Sequence, residues 1–136
     1  MVAAGEAPMW FEDDVLIVRM VGECGVVEMQ MMIDMGEQLF AKHGYILFLV
    51  DAGRSTSLNA DARKLQAERL KRFIRPSHTA IFNVSTVTRV MSSLTQRGVE
   101  LVTGKTYPVS FHKDEAEARA SLASQRVSLR RGVVPS

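Results

Sequence analysis

The sequence predicts an α/β domain with a mixed five-stranded sheet and four helices, in the order β-β-α-β-α-β-α-β-α. The first supporting observation is a continuous apolar run at residues 45–50, bounded by Gly44 and Gly53. Such a run is typical of a central strand covered on both faces. The second is that segments with helical apolar spacing alternate with short apolar runs along the chain. This alternation predicts a sheet with helices packed against it.

Length and composition predict one folded domain in a reducing compartment. A chain of 136 residues with 24% charged side chains can bury a full core, and its net charge of +2 is too small to indicate a nucleic-acid partner. The single cysteine, Cys24, excludes an internal disulfide. The first residues lack a signal sequence, and no apolar run approaches the roughly 20 residues of a membrane helix. We therefore expect a cytoplasmic protein without an integral membrane segment.

The N-terminal part of the domain is predicted to form a hairpin and a helix. Residues 9–11 and 15–18 are apolar and flank the acidic segment 12–14, as in two strands joined by a turn. Residues 25–43 repeat apolar side chains at helical spacing, and Gly44 is a typical helix stop. Outside the domain, which we place at residues 9–125, we expect a flexible N-terminus at 1–8 and a basic frayed tail at 126–136.

A second apolar set on this first helix allows two interpretations. Val27, Met31 and Met35 follow at i, i+4 and i+8, about 150° from the stripe that would face the sheet. A few exposed methionines can occur without functional meaning. Alternatively, the set forms an interface with a protein partner or with a second copy of the chain, because methionine packs adaptably at such surfaces. The second interpretation predicts a homodimer.

The remaining elements are predicted from their boundaries. A second helix begins near Ser57 or Asn59, where either side chain can cap it, and ends before Pro76. Residues 58–75 hold six basic and two acidic side chains. A strand at 78–84, a third helix at about 86–103 and a short strand at 107–112 follow. The last helix starts with a capping-box-like segment at Asp114 and runs to about residue 125.

The sequence offers little evidence for catalysis. Residues 104–106 resemble the end of a phosphate-binding loop, but the required first glycine is replaced by Val99. The three histidines lack metal-ligand spacing and lie at element boundaries, as caps and surface residues do. There is no Gly-x-Ser-x-Gly or His-Glu-x-x-His motif. We therefore expect no catalytic residues, no metal site and no cofactor.

The segment after the central strand is the best candidate for a binding site. It would form a loop in which three hydroxyl residues precede a helix, and its candidate residues are Asp51, Arg54, Ser55, Thr56 and Ser57. The hydroxyl groups could simply cap the helix and form the turn. Alternatively, free backbone N–H groups and Arg54 bind an anion, or one hydroxyl is phosphorylated, since a helix N-terminus favours negative charge.

The order of elements, with an acidic strand end and a hydroxyl-rich loop before the second helix, resembles the STAS fold of anti-sigma-factor antagonists. The SpoIIAA-like branch is the most similar, through residues 15–22, 45–51 and 109–122. In the phospho-switching members a kinase, which is also the anti-sigma factor, phosphorylates a serine in an Asp-Ser-Ser-Gly-like turn. Here the equivalent residues 55–60 lack both the Asp and the Gly, and Ser57 is the best positional match.

The resemblance implies a non-enzymatic regulatory or protein-interaction module. Its switch loop precedes the second helix and can lack phosphorylation. The alternative hypothesis is a small lipophilic-ligand-binding protein, because the fold is also compared with lipid-binding CRAL-TRIO domains and the first helix is rich in methionine. That alternative requires an apolar pocket between sheet and helices, of at least roughly 300 Å³.

Overall fold

A computed structural model describes residues 2–4, 7–58, 60–72, 76–83 and 109–133. These residues form one six-stranded sheet and three helices. The strands are β1 (Val2–Ala4), β2 (Ala7–Glu12), β3 (Val15–Cys24), β4 (Ile46–Leu58), β5 (Ser77–Phe82) and β6 (Val109–His112). The helices are α1 (Val26–His43), α2 (Ala60–Arg72) and α3 (Glu115–Val133). The predicted helix at 86–103 lies outside the described residues.

The sheet is mixed, as predicted, and its strand order follows the chain from β1 to β6. Strands β1, β2 and β3 pair antiparallel, whereas β3, β4, β5 and β6 pair parallel. The hairpin predicted around residues 12–14 is confirmed, with Glu12 opposite Val15 and Asp13 in the left-handed conformation of a tight turn. Strand β1 is a sixth strand that was not predicted: residues 2–4, which were expected to be flexible, pair with β2.

Two apolar layers cover the faces of the sheet because side chains alternate along each strand. On one face, Leu47 and Leu49 of β4 pack with Ala118 and Leu122 of α3. On the other face, Ile46 and Val50 pack with Met35 and Leu39 of α1. The central strand is therefore covered on both sides, as its uninterrupted apolar run predicted. Helix α2 packs beside α1 through a smaller cluster formed by Cys24, Met29 and Ala62.

Helix α1 begins and ends as predicted but buries a wider face. Gly44 ends it in the left-handed conformation, with φ of 82°, and its N–H donates to the carbonyl of Phe40. Met35, which we predicted at an exposed interface, is only 6% exposed and belongs to the core under the sheet. Met35 is less exposed than expected because α1 contacts both the sheet and α2, and its assignment to an interface stays a prediction. A helix with two neighbours buries a broader arc than a single stripe.

Two other boundaries differ from the predictions. The segment 51–57 was predicted to be a loop, but β4 continues through it to Leu58, and α2 begins only at Ala60. The basic tail was predicted to fray after residue 125, but α3 continues to Val133. In both cases the strand or helix is longer than predicted because a partner distant in the chain stabilises its last residues. The end of β4 pairs with β3, and the end of α3 contacts the first hairpin.

Candidate functional site

The predicted switch segment forms the outer part of β4, which we call the β4 extension (residues 51–58). It pairs in parallel with β3, with Arg54 opposite Val21, Ser55 opposite Gly22 and Ser57 opposite Glu23. The register shifts twice along this pair, and Gly22 has a φ of 71°. Irregular pairing of this kind bends and twists a strand near its end. The structure thus places residues 55–57 in extended backbone instead of at a helix N-terminus.

Asp51, in the middle of β4, is hydrogen-bonded to the residue that follows β5. Its Oδ1 atom accepts a hydrogen bond of 3.0 Å from the backbone N–H of Gly53 and one of 3.1 Å from the side-chain amide of Asn83, just after β5. A Cβ atom at Gly53 would lie 3.2 Å from both the Asn83 Cβ and the Asp51 Oδ1. Asp51 therefore fixes the backbone here, while Arg54 extends into solvent.

The predicted interface residues border a surface groove between α1 and β2, which we call the α1 groove. Its volume is about 630 Å³, and it is lined by Phe11, Val26, Val27, Gln30, Met31, Asp34, Met35 and Gln38. Val27 is 65% exposed and Phe11 is also exposed, whereas Met31 is half-buried and Met35 lies at the floor. The structure thus brings Val27, Met31 and Met35 together in one groove and adds Phe11 to them. It does not join the groove to the β4 extension.

A buried ion pair at the β2–β3 turn was missed by the sequence analysis. The guanidinium of Arg126 on α3 donates two hydrogen bonds of 2.7 Å to the carboxylate of Asp14. The Tyr45 hydroxyl donates a third, of 2.6 Å, and itself accepts one of 3.2 Å from Arg130. We call these four residues the Asp14 cluster. The predicted tail residues are therefore structural partners of the first hairpin.

Opposing effects act on the pKa of Asp14. Burial disfavours the charged carboxylate, but the hydrogen bonds from Arg126 and Tyr45 outweigh burial, so the pKa of Asp14 lies below its usual value. Burial and the hydrogen bond to Asp14 raise the pKa of Tyr45. The carboxylate is thus ionised and the phenol protonated at neutral pH, as the hydrogen bonds require.

A second polar cluster lies between the α3 face of the sheet and α3. Ser110 Oγ is 2.7 Å from His112 Nε2, 2.9 Å from His78 Nε2 and 3.3 Å from Ser121 Oγ. On its other side, the His112 ring places Nδ1 3.1 Å from a carboxylate oxygen of Glu117. We call these five residues the Ser110 cluster. His78 and His112 were predicted to be caps or surface residues, but His78 is buried.

The sheet register and the start of α3 create the Ser110 cluster. Ser110 and His112 are two residues apart in β6, so their side chains lie on the same face of the sheet. Ser110 is paired with Ala80 of β5, and His78 is two residues before Ala80, on that same face. Asp114 caps α3 by accepting a hydrogen bond of 2.9 Å from the Glu117 N–H, which confirms the predicted helix start. Burial, with the neighbouring His112, lowers the pKa of His78. Among the described residues, no three metal-ligating side chains lie close enough to hold an ion.

No family model and no curated protein matches the chain. Among solved structures, it is similar to an uncharacterised protein of the DUF3478 family with a SpoIIAA-like fold from Shewanella loihica PV-4. The two share 18% identity and a TM-score of 0.59, over 90% of this chain and 98% of that chain. It is also similar to the anti-sigma factor antagonist SpoIIAA in its unphosphorylated form, with 10% identity and a TM-score of 0.53, over 87% and 97% of the two chains.

These similarities confirm the resemblance predicted from the sequence at the level of fold. The chain has a SpoIIAA-like α/β fold, and the match covers most of its length. No described helix combines the length and the apolar character that crossing a membrane requires. At these identities the similarity defines the architecture and not the roles of individual side chains.

Proposed function

We propose that the protein is a non-enzymatic, STAS-like regulatory module that acts by binding protein. The observation that supports this function best is the α1 groove, in which exposed Val27 and Phe11 flank half-buried Met31. Exposed apolar side chains that line one continuous groove are typical of interaction surfaces, whereas scattered ones are not. The SpoIIAA-like fold supports a regulatory role by analogy.

The proposed occupant of the groove is a second copy of the chain. Val27 and Met31 lie one helical turn apart on the same face of α1. Two α1 helices that pack antiparallel across a two-fold axis can therefore place Val27 and Met31 of one copy against the same two residues of the other copy. The long and flexible Met31 side chain can adapt to such a contact. We propose the β4 extension as the second contact region, where Arg54 is exposed and residues 55–57 follow Asp51 along the strand.

Self-association is tested by sedimentation of the full chain. The wild-type protein should have the mass of two chains, and Val27→Glu or Met31→Glu should produce monomers, because each buries a charge in the contact. Val127→Glu is the matched control, since Val127 is also an exposed helical valine, at 53%, but lies on α3. A wild-type monomer, or equal effects of Val27→Glu and Val127→Glu, would contradict the proposed dimer.

The switch is tested separately, by mass spectrometry of protein from its native cell. A phosphate on Ser55, Thr56 or Ser57 would support regulation through the β4 extension. Ser57 is paired with Glu23 in the register of β3 and β4, so a phosphate on Ser57 would add about two negative charges at a position paired with an acidic residue. Absence of phosphate on all three residues across growth conditions would remove the switch from the proposal and leave the groove unaffected.

The size of the α1 groove also favours a second candidate function, the binding of a small lipophilic ligand. Its volume of about 630 Å³ lies within the range of small-molecule sites, and Phe11 and Met31 provide apolar walls above Met35 at the floor. Native mass spectrometry should then detect a co-purified ligand that Met31→Glu abolishes. A native mass spectrum that shows only the protein without added mass, together with a dimer that depends on Val27, would exclude this alternative.

A further inference from the structure

The three hydrogen bonds to Ser110 determine where its proton lies. A serine hydroxyl has one proton to donate and two lone pairs that accept. The shortest of its contacts, at 2.7 Å, is to His112 Nε2. When the proton is donated there, Oγ accepts from His78 Nε2–H at 2.9 Å, and its second lone pair faces Ser121 Oγ at 3.3 Å, the longest of the three contacts.

His112 is held in the tautomer that this arrangement needs. Its Nδ1 atom is 3.1 Å from the Glu117 carboxylate, so Nδ1 carries the proton and Nε2 has the free lone pair that faces Ser110. The cap from Asp114 holds the backbone of Glu117 in place. The order carboxylate, imidazole, hydroxyl is the arrangement that activates a serine nucleophile in proteins of unrelated fold, where it is recognised by geometry and not by chain order.

We propose that Ser110 is an activated nucleophile that accepts an acyl group from a small ester, with His112 as general base and Glu117 as the residue that positions His112. Ser110 and His112 are half-buried, so a small acyl donor suits the site better than a bulky one. This reactivity is independent of the α1 groove and goes beyond the proposed binding function.

The acylation step balances within the cluster. Ser110 Oγ forms a bond to the carbonyl carbon of the ester with the lone pair that faces Ser121, and the 3.3 Å contact is released. The carbonyl π electrons move to the carbonyl oxygen and return when the leaving group departs, and His112 Nε2 takes the hydroxyl proton. The ester C–O bond then breaks, and the leaving alkoxide takes the proton from His112. The products are an acyl-serine and an alcohol. The negative charge of the intermediate develops on the carbonyl oxygen of the ester, and His78 Nε2–H, 2.9 Å from Ser110 Oγ, is an N–H donor close to that position.

Acylation of the full chain by p-nitrophenyl acetate tests the proposal. We expect one acetyl group per chain, located by peptide mapping at Ser110 and absent in Ser110→Ala. His112→Gln should slow acylation on the order of 10²–10⁴-fold, the usual contribution of a general base. Glu117→Gln should slow it by a smaller factor without lowering the melting temperature, which separates positioning from a merely structural role.

The controls make the result decisive. Ser124→Ala removes an exposed serine of α3 and should react as wild type. Acetylation at a residue other than Ser110, equal rates in wild type and His112→Gln, or equal labelling of native and urea-unfolded protein would each overturn the proposal. If Ser110→Ala does not fold, mapping of the acetyl group on native wild-type protein still decides the question.

Discussion

The Asp14 cluster makes a quantitative prediction about stability. In Asp14→Asn the side chain keeps its shape but loses the charge that accepts two hydrogen bonds of 2.7 Å from Arg126. Asp14 is 6% exposed, so water does not replace these bonds at the carboxylate. The substitution therefore leaves the Arg126 guanidinium incompletely neutralised beside a buried amide. This weakens the contact that joins α3 to the first hairpin.

The expected cost follows from burial. Removing one partner of a fully buried ion pair costs about 3–5 kcal/mol. The Arg126 side chain is 28% exposed and can regain part of its hydration, so we expect about 2–3 kcal/mol. Glu12 and Arg119 join the same hairpin to the same helix through contacts of 3.3 Å, but both side chains are largely exposed. Glu12→Gln should therefore cost no more than about 1 kcal/mol.

The assay is urea unfolding followed by circular dichroism at pH 7 and in acid. Because the folded pKa of Asp14 lies below its ordinary value of 3.8, its contribution is present above that value and is lost as pH falls through the lower folded pKa. The difference between wild type and Asp14→Asn should shrink accordingly in acid. Equal costs of Asp14→Asn and Glu12→Gln at pH 7 would refute the reasoning from burial.

Three further predictions concern the end of α3, His78 and Cys24. Deleting residues 126–136 should cost at least as much free energy of unfolding as Asp14→Asn, because it removes Arg126 with the last turns of α3; an unchanged urea midpoint would support a frayed tail instead. The lowered pKa of His78 means that the unfolded chain binds its proton first as pH falls below about 6.5, so stability should decline there, and His78→Gln should reduce that slope. An equal slope in wild type and His78→Gln would contradict this. Burial and the nearby Glu28 raise the pKa of Cys24 to about 11, so at pH 8 its native thiol should react with a disulfide reagent about 100-fold more slowly than in urea; equal rates would show that the thiol is accessible and unperturbed.

The sequence predicted correctly those helices and strands whose limits are set by residues within them or next to them. The apolar run at 45–50 predicted the central strand, and Gly44 predicted the end of α1. The cap at Asp114 predicted the start of α3. For Gly44 and Asp114 the deciding interaction is within a few residues, and for the central strand the apolar run itself records burial on both faces.

The missed features depend on partners distant in the chain. The β4 extension contains Gly53 and three hydroxyl residues, which favour turns, and it is a strand because β3 pairs with it. The last turns of α3 contain Arg126, which donates to the buried Asp14, a residue 112 positions earlier in the chain. The Ser110 cluster requires the register of β5 with β6 and the position of α3, which no motif encodes.

The pairing of Asp14 with Arg126 also has a consequence for the order of folding during synthesis. The first hairpin leaves the ribosome long before α3, and at 5–20 residues per second the 112 residues from Val15 to Arg126 take about 6–22 seconds to synthesise. Until then Leu47 and Leu49 lack the cover of α3, and Asp14 lacks its guanidinium. The nascent chain therefore carries an open apolar face with an uncompensated carboxylate at its edge. This charge opposes premature association of that face until the last helix closes it.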